Sequence, residues 1–539
     1  MKRHSARSAR FFKRSLPRRG RPANAIWSRW RLRSHRRPAA SSDSAPCRRK
    51  SGRFSLASGA SSRRAARRNL GPRRSGLDGH LHDSVLYPGC PLSAIPPEIA
   101  VPLVILVTLF LLGYPFPSLA DSLQVTGWDK GLKLAEAADI NPDPRVVEIN
   151  LEARVESLEI VPGVRTSAWT YNGGLPGPLI RARRGDRLIV RFSNKLPQST
   201  TVHWHGVQVP IQMDGVPGVS QPPVEPGESF VYDFVLPDAG LFWYHPHVMS
   251  AAQVGFGLYG ALLVEEPNER VGVEDELVLV LSDIAIHDNT GEMHSPDSGG
   301  VLGALLGREG NHVLVNGRER PTLAIRDGAP LRWRIVNSAK SRYFDLVLGD
   351  HQPMLLIGVD GGHLEYSVQR RSIVLGPGER ADVLVAPRFD GSGALLLKAV
   401  PFDRGFGSTE FRETEELIAF TAASLPPIAT TAFPALKRDI PVTSTAGATP
   451  IKIELVTTNE HGLAQFDIKG GPFWKNTSVR ASLGETQLWT ITNKAIWAHP
   501  IHLHGFFFQE LDDTGMPVRP LAWKDTIHVP AESTRRFIV

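Results

Sequence analysis

The chain has 539 residues, more than one hydrophobic core serves and enough for three domains of ordinary size. With 42% hydrophobic and 22% charged residues it is neither disordered overall nor fibrous, and 49 Gly with 43 Pro favour short strands and turns over long helices. The net charge of +8 belongs to the leader: residues 1–120 hold 24 Lys and Arg against four acids, and the remainder holds 38 basic and 50 acidic residues, so the pI gives no reason to expect nucleic-acid binding by the body.

In chain order, residues 1–98 are an Arg-rich leader with little apolar patterning, which predicts disorder. Residues 99–120 read as a signal peptide-like segment. The apolar run IAVPLVILVTLFLLG is followed by Ser118 and Ala120, small residues at −3 and −1 of a cut after Ala120. The run is shorter than the roughly 20 residues that a membrane span needs, so no stable span is expected. Export to the periplasm or outside is the expectation. Both cysteines, Cys47 and Cys90, precede residue 121, so the body has no disulfide, no thiolate metal site and no Cys nucleophile.

The body carries a weak internal repeat. Gly185, Gly328 and Gly484 each open an alternating apolar stretch that ends nine residues later in Asn194, Asn337 and Asn493. Each copy leads to a Pro-x-Glu turn, Pro226–Glu228, Pro377–Glu379 and Pro530–Glu532, and then to another alternating stretch. Period-two alternation between turn residues predicts antiparallel strands in an all-β protein of three consecutive β-sandwich domains, at 121–267, 268–424 and 425–539.

Seven of the fourteen body histidines form three clusters: His203-Trp-His205-Gly, His245-Pro-His247 and His499-Pro-Ile-His502-Leu-His504-Gly. On a strand, residues i and i+2 share a face and lie roughly 6.5–7 Å apart, so each His-x-His pair can serve one metal or two neighbouring ones. Three pairs supply six imidazoles for a multinuclear site between the first and third domains. Imidazoles without thiolate or carboxylate suit copper or zinc, and copper binds tightest of the divalent series. A zinc hydrolase fits less well, because no Asp or Glu stands at ligand or general-base spacing. The remaining body histidines have no partner at ligand spacing and read as structural or surface residues.

The segments VHWHG, FWYHPH and HPIHLHG resemble three of the four copper-ligand motifs of the multicopper oxidases, a laccase-like family, over residues 140–539. The resemblance implies Greek-key, cupredoxin-like domains and four coppers in an intact enzyme. It implies that His203 and His502 hold the type 2 copper, that His205, His245, His247 and His504 are ligands of the type 3 pair, and that His499 is a type 1 ligand. Asp214, eleven residues after His203, matches an acid that assists proton delivery, or is simply a turn residue before Gly215. The implied partners are O2 and a small phenolic or similar reductant. A monomer is expected, since a three-domain chain can close the seam by itself.

The fourth motif, His-Cys-His, is absent. The repeat places it at about 549–551, past Val539, so the third domain is expected to be incomplete and the type 1 site not completable. The expectation is a part of a longer enzyme, inactive as a laccase in this form and colourless near 600 nm. The alternative is a shortened, non-catalytic copper binder or scaffold. Few Met in the body disfavour a dedicated cuprous oxidase. Trp474, Trp497 and Phe506–Phe508 read as core rather than as a substrate platform.

Overall fold

The computed structural model describes residues 122–539, apart from 270, 296–297, 299–302, 304–306, 392, 406–411, 430–431, 461–462 and 469–478. The leader, the apolar run, both cysteines, His461 and Trp474 lie outside the described residues. Among those described, no helix is long and apolar enough to cross a membrane.

Among the described residues the regular structure is almost all β. The first part comprises β1 (Val146–Val161), β2 (Val164–Tyr171), β3 (Gly177–Arg183), β4 (Arg187–Asn194), β5 (His203–His205), β6 (Ser229–Val235), β7 (Gly240–His245) and β8 (Gly260–Glu265). They form two four-stranded sheets ordered β2-β1-β4-β6 and β3-β8-β7-β5. The middle part has β9 (Glu276–Ile284), β10 (His312–Val315), β11 (Thr322–Ile325), β12 (Leu331–Asn337), β13 (Phe344–Leu348), β14 (Met354–Val359), β15 (Gly362–Arg370), β16 (Ile373–Leu375), β17 (Arg380–Val385), β18 (Leu395–Val400) and β19 (Glu415–Ala422). Its sheets run β10-β9-β12-β17-β14-β15 and β11-β19-β18-β13-β16. The last part has β20 (Thr449–Glu460), β21 (Leu463–Ile468), β22 (Gln487–Asn493), β23 (His499–His502), β24 (Gln509–Leu511), β25 (Thr526–Val529) and β26 (Thr534–Ile538), ordered β21-β20-β22-β26-β24 and β23-β25.

Alternation explains the cores. In β4 the residues Leu188, Val190 and Phe192 are buried while Arg187 and Arg191 point to water. They join Trp204, Tyr232 and Tyr244 in the core of the first sandwich. Trp333, Phe344 and Phe420 centre the second, and Phe508 and Phe537 the third. Most strand pairs are antiparallel, as expected, but not all. The first strand of each sandwich runs parallel to a later one, β1 to β4, β9 to β12 and β20 to β22. Alternation reports which face is buried, not strand direction, and a chain that crosses between sheets before returning produces such pairs.

The repeat has a physical cause. Asn194, Asn337 and Asn493 are buried at the ends of β4, β12 and β22. Their side-chain amides donate to the carbonyls of Val224, Leu375 and Pro530, at 2.8–2.9 Å. Their side-chain oxygens accept from the N–H of Leu196, Ala339 and Ala495, at 2.9–3.0 Å. Each amide thus ties its strand to the segment around the Pro-x-Glu turn, and a short side-chain amide supplies the two donors and the acceptor that these bonds use. Between clamp and turn the first and last sandwiches carry their His-x-His-Gly segments, and His245-Pro-His247 follows the first turn.

Candidate metal centre

In β5, His203 and His205 project from one face, with ring centroids 5.8 Å apart. Pairing of β5 with β7 sets His203 opposite His245, and His247 follows Pro246 just beyond the strand. In the last sandwich His502 ends β23 opposite Thr526, and His504 sits on the following turn. The two segments face each other. The His203 ring stacks on His504 at 4.0 Å and 25°, and His205 stacks on His502 at 3.6 Å and 13°. His245 lies 5.1 Å from His203, and His247 lies 5.0 Å from His504. Six of the seven singled-out histidines are therefore gathered at one seam.

Hydrogen bonds fix the tautomers. The Nδ1–H of His203 donates to the backbone carbonyl of Asp214 and that of His502 to the carbonyl of Asp525, both at 2.9 Å. A carbonyl can only accept, so Nε2 of each ring carries the lone pair. Both Nε2 atoms are buried without a hydrogen-bond partner. His245 Nδ1 likewise meets the Pro246 carbonyl at 2.9 Å. His205 is turned the other way: its Nε2–H reaches the Thr526 hydroxyl at 3.1 Å, which leaves Nδ1 as its donor atom. Burial, aided by neighbouring His504, pushes the His203 pKa down to about 3. Burial also pushes His205 and His245 far below the usual imidazole value, and His247 to about 4. These four rings are neutral at pH 7, the form that binds a metal. The donor set of orphaned, neutral, convergent imidazoles fits copper.

Asp214 caps a short 3-10 turn, Ile211–Met213. Its carboxylate accepts from His504 Nδ1 at 3.0 Å, across the seam, and lies 3.2 Å from His203 Nδ1. Burial pushes its pKa up, but the hydrogen bonds from His203 and His504 outweigh that and hold it ionised. His499 is not brought into the group. It sits at the far end of β23, its ring 6.5 Å from Trp497, and burial, then Arg404 and His528, lower its pKa to about 4.

Sequence reasoning missed Asp525 and Thr526. Asp525 lies 3.4 Å from both His205 Nε2 and His502 Nδ1. It repeats across the seam what Asp214 does for His203 and His504, but it stands 23 residues after its histidine where Asp214 stands eleven after, so no shared spacing marks it. Among the aromatic residues read as core, Trp497 and Phe508 are buried and Phe507 packs on the first sandwich, whereas Phe506 is 60% exposed. Of the remaining histidines, His363 joins Glu269 and Asp382, but Arg332 and Arg334 already neutralise those carboxylates. That cluster is an ion-pair network.

A multi-imidazole centre between cupredoxin-like β-sandwiches is the class of site that fold and geometry define. Models of the multicopper oxidase family match residues 153–269, 275–392 and 447–539. The chain is 30% identical to a multicopper oxidase of Mycobacterium tuberculosis over 424 residues, 70% of this chain and 79% of that one. It is 26% identical to a laccase of Bacillus subtilis over 447 residues, 69% and 84% of the two chains. The crystal structure of a multicopper oxidase from Pseudomonas thermotolerans superposes with a TM-score of 0.62 at 32% identity, covering 73% of this chain and 92% of that one. The chain belongs to the multicopper oxidase family, and the cofactor that membership implies is copper.

Proposed function

We propose that the six-imidazole seam is a trinuclear copper centre of a laccase-like oxidase, which couples one-electron oxidation of small phenolic reductants to reduction of O2 to water. The observation that carries this reading is the pair of face-to-face stacks, His203 on His504 and His205 on His502, each joining the first sandwich to the last. His203 and His502 would hold the type 2 copper through Nε2. His205, His245, His247 and His504 would hold the type 3 pair. His499 is the proposed type 1 ligand. Bound copper would supply the redox chemistry, storing electrons for transfer to O2.

The protein's own residues do the rest. Burial of His203, His205 and His245 excludes bulk water and keeps the rings unprotonated. Asp214, part-exposed and bonded to His504 through Oδ2, is the proposed proton-delivery residue. The apolar run before residue 121 supports an exported protein. A non-catalytic copper binder shares the same ligands and differs in lacking O2 consumption.

The test is copper retention after dialysis together with electron paramagnetic resonance (EPR). The expected result is a stable mononuclear copper signal that His203→Ala and His502→Ala each abolish. No retained copper, or retention indifferent to both variants, overturns the reading.

A further inference from the structure

Among the described residues, the middle domain contributes no imidazole to the seam, yet one of its turns reaches the rings. Gly378, in the Pro377–Glu379 turn, has φ +88°, and a Cβ there would lie 2.9 Å from His205 Cε1. Two residues on, Arg380 opens β17 and is buried. Its guanidinium has five N–H bonds, and each is used. Nε donates to Leu241 O of the first sandwich at 3.0 Å. Nη1 donates to Gly378 O at 2.9 Å and to Asp525 Oδ1 of the last sandwich at 2.7 Å. Nη2 donates to Asp360 O at 3.0 Å and to Asp525 Oδ2. Three domains thus converge on one side chain.

The far end of this fork is the imidazole centre. Asp525 Oδ1 accepts from the Thr526 hydroxyl at 2.8 Å, and that hydroxyl accepts from His205 Nε2–H. The Asp525 carbonyl holds His502. The glycine of the first His-x-His-Gly segment belongs to the same arrangement. A Cβ on Gly206 would lie 2.5 Å from both Arg380 Nη2 and Asp525 Oδ2. Asp214, the counterpart of Asp525, has no such clamp in the bonds its carboxylate makes and keeps some contact with solvent. The two acids are therefore unlike: Asp214 is part-exposed and faces His203 and His504, whereas Asp525 is locked by Arg380.

We propose that Arg380 is a positioning residue of the copper centre: its bidentate grip on Asp525 fixes the tautomer and orientation of His205 and His502, and so makes the middle domain a structural part of the site. Lysine would keep the charge but supply neither the planar fork nor five donors. The proposal rests on the seam binding copper.

The experiment compares the wild-type full chain, Arg380→Lys and His203→Ala. Copper affinity is read by competition titration, the site's symmetry by the EPR hyperfine splitting, and folding by circular dichroism. Arg380→Lys is expected to fold, to bind copper at least about tenfold more weakly and to shift the hyperfine splitting, as loss of a ligand's outer partner does. A folded Arg380→Lys with wild-type affinity and splitting overturns the proposal while leaving the copper reading intact. A wild-type chain that binds no copper overturns the copper reading itself. Should Arg380→Lys not fold, Thr526→Val cuts the same connection at nearly constant volume. Weaker binding with a shifted splitting then supports the proposal, and unchanged values overturn it.

Discussion

The Asp214 carboxylate, on the first sandwich, accepts a hydrogen bond from His504 Nδ1, on the last, at 3.0 Å, while its backbone carbonyl holds His203 at 2.9 Å. One residue therefore orients two facing rings of different domains. Asp214→Asn keeps an acceptor but removes the negative charge that both imidazoles face. The expected outcome is an unchanged circular dichroism spectrum and copper affinity about tenfold weaker, roughly 1.4 kcal/mol. Competition titration checks it, and an unchanged affinity would count against the orienting role.

The metal-free protein should be acid-sensitive in a particular window. Burial lowers the pKa of His203 to about 3, and it lowers His205, His245 and His247 as well. In the unfolded chain each titrates near 6.5. Below that value the unfolded state binds more protons than the folded one, so stability is full above pH 6.5 and is lost as pH falls toward 3. A single ring shifted this far accounts for a few kcal/mol on the order of the linkage relation. Denaturant unfolding at pH 7, 6, 5 and 4 should show the decline, and His203→Gln should flatten it.

The asparagine clamps should matter for folding rather than for metal. Asn337 lies in the middle domain and donates to Leu375 O and Arg342 O while accepting from Ala339 N–H. Replacing it with Ala leaves buried backbone groups without partners, at about 1–3 kcal/mol each. Asn337→Ala is expected to lower the unfolding midpoint clearly while copper retained per folded chain stays at the wild-type value. A loss of copper without a loss of stability would contradict this division.

What the sequence made legible follows from the range of each interaction. The His-x-His pairs could be placed on one strand face because their geometry is local, and the clustering of three pairs pointed to a shared seam. The repeat of Gly and Asn was visible, but its reason was not, since the bonds of Asn194 to Val224 span 30 residues. Arg380 and Asp525 are 145 residues apart, and neither sits in a pattern. The opposite tautomers of His203 and His205 depend on Asp214 and Thr526, which only folding brings near. Phe506 shows the same limit: in a run of three Phe, apolar character alone could not tell the exposed one from the two that pack.

Two glycines of one loop offer a controlled comparison. Gly215 and Gly218 have nearly the same backbone, φ +75° and +74°. Both would pay the left-handed penalty if changed to Ala, on the order of 1 kcal/mol. They differ in surroundings. A Cβ on Gly218 meets nothing within 4 Å, whereas one on Gly215 would lie 2.0 Å from Val202 O and 2.9 Å from His203 N. The atoms in the way are backbone and cannot rotate aside, so Gly215→Ala must push the Asp214 turn off β5. Gly218→Ala is therefore expected to cost about 1 kcal/mol and leave copper binding intact. Gly215→Ala should cost several times more and weaken copper binding, because Asp214 then releases both His203 and His504. Denaturant midpoints and copper titrations on the two variants decide it: equal effects would mean that the close approach of this turn to His203 is not what holds the ring.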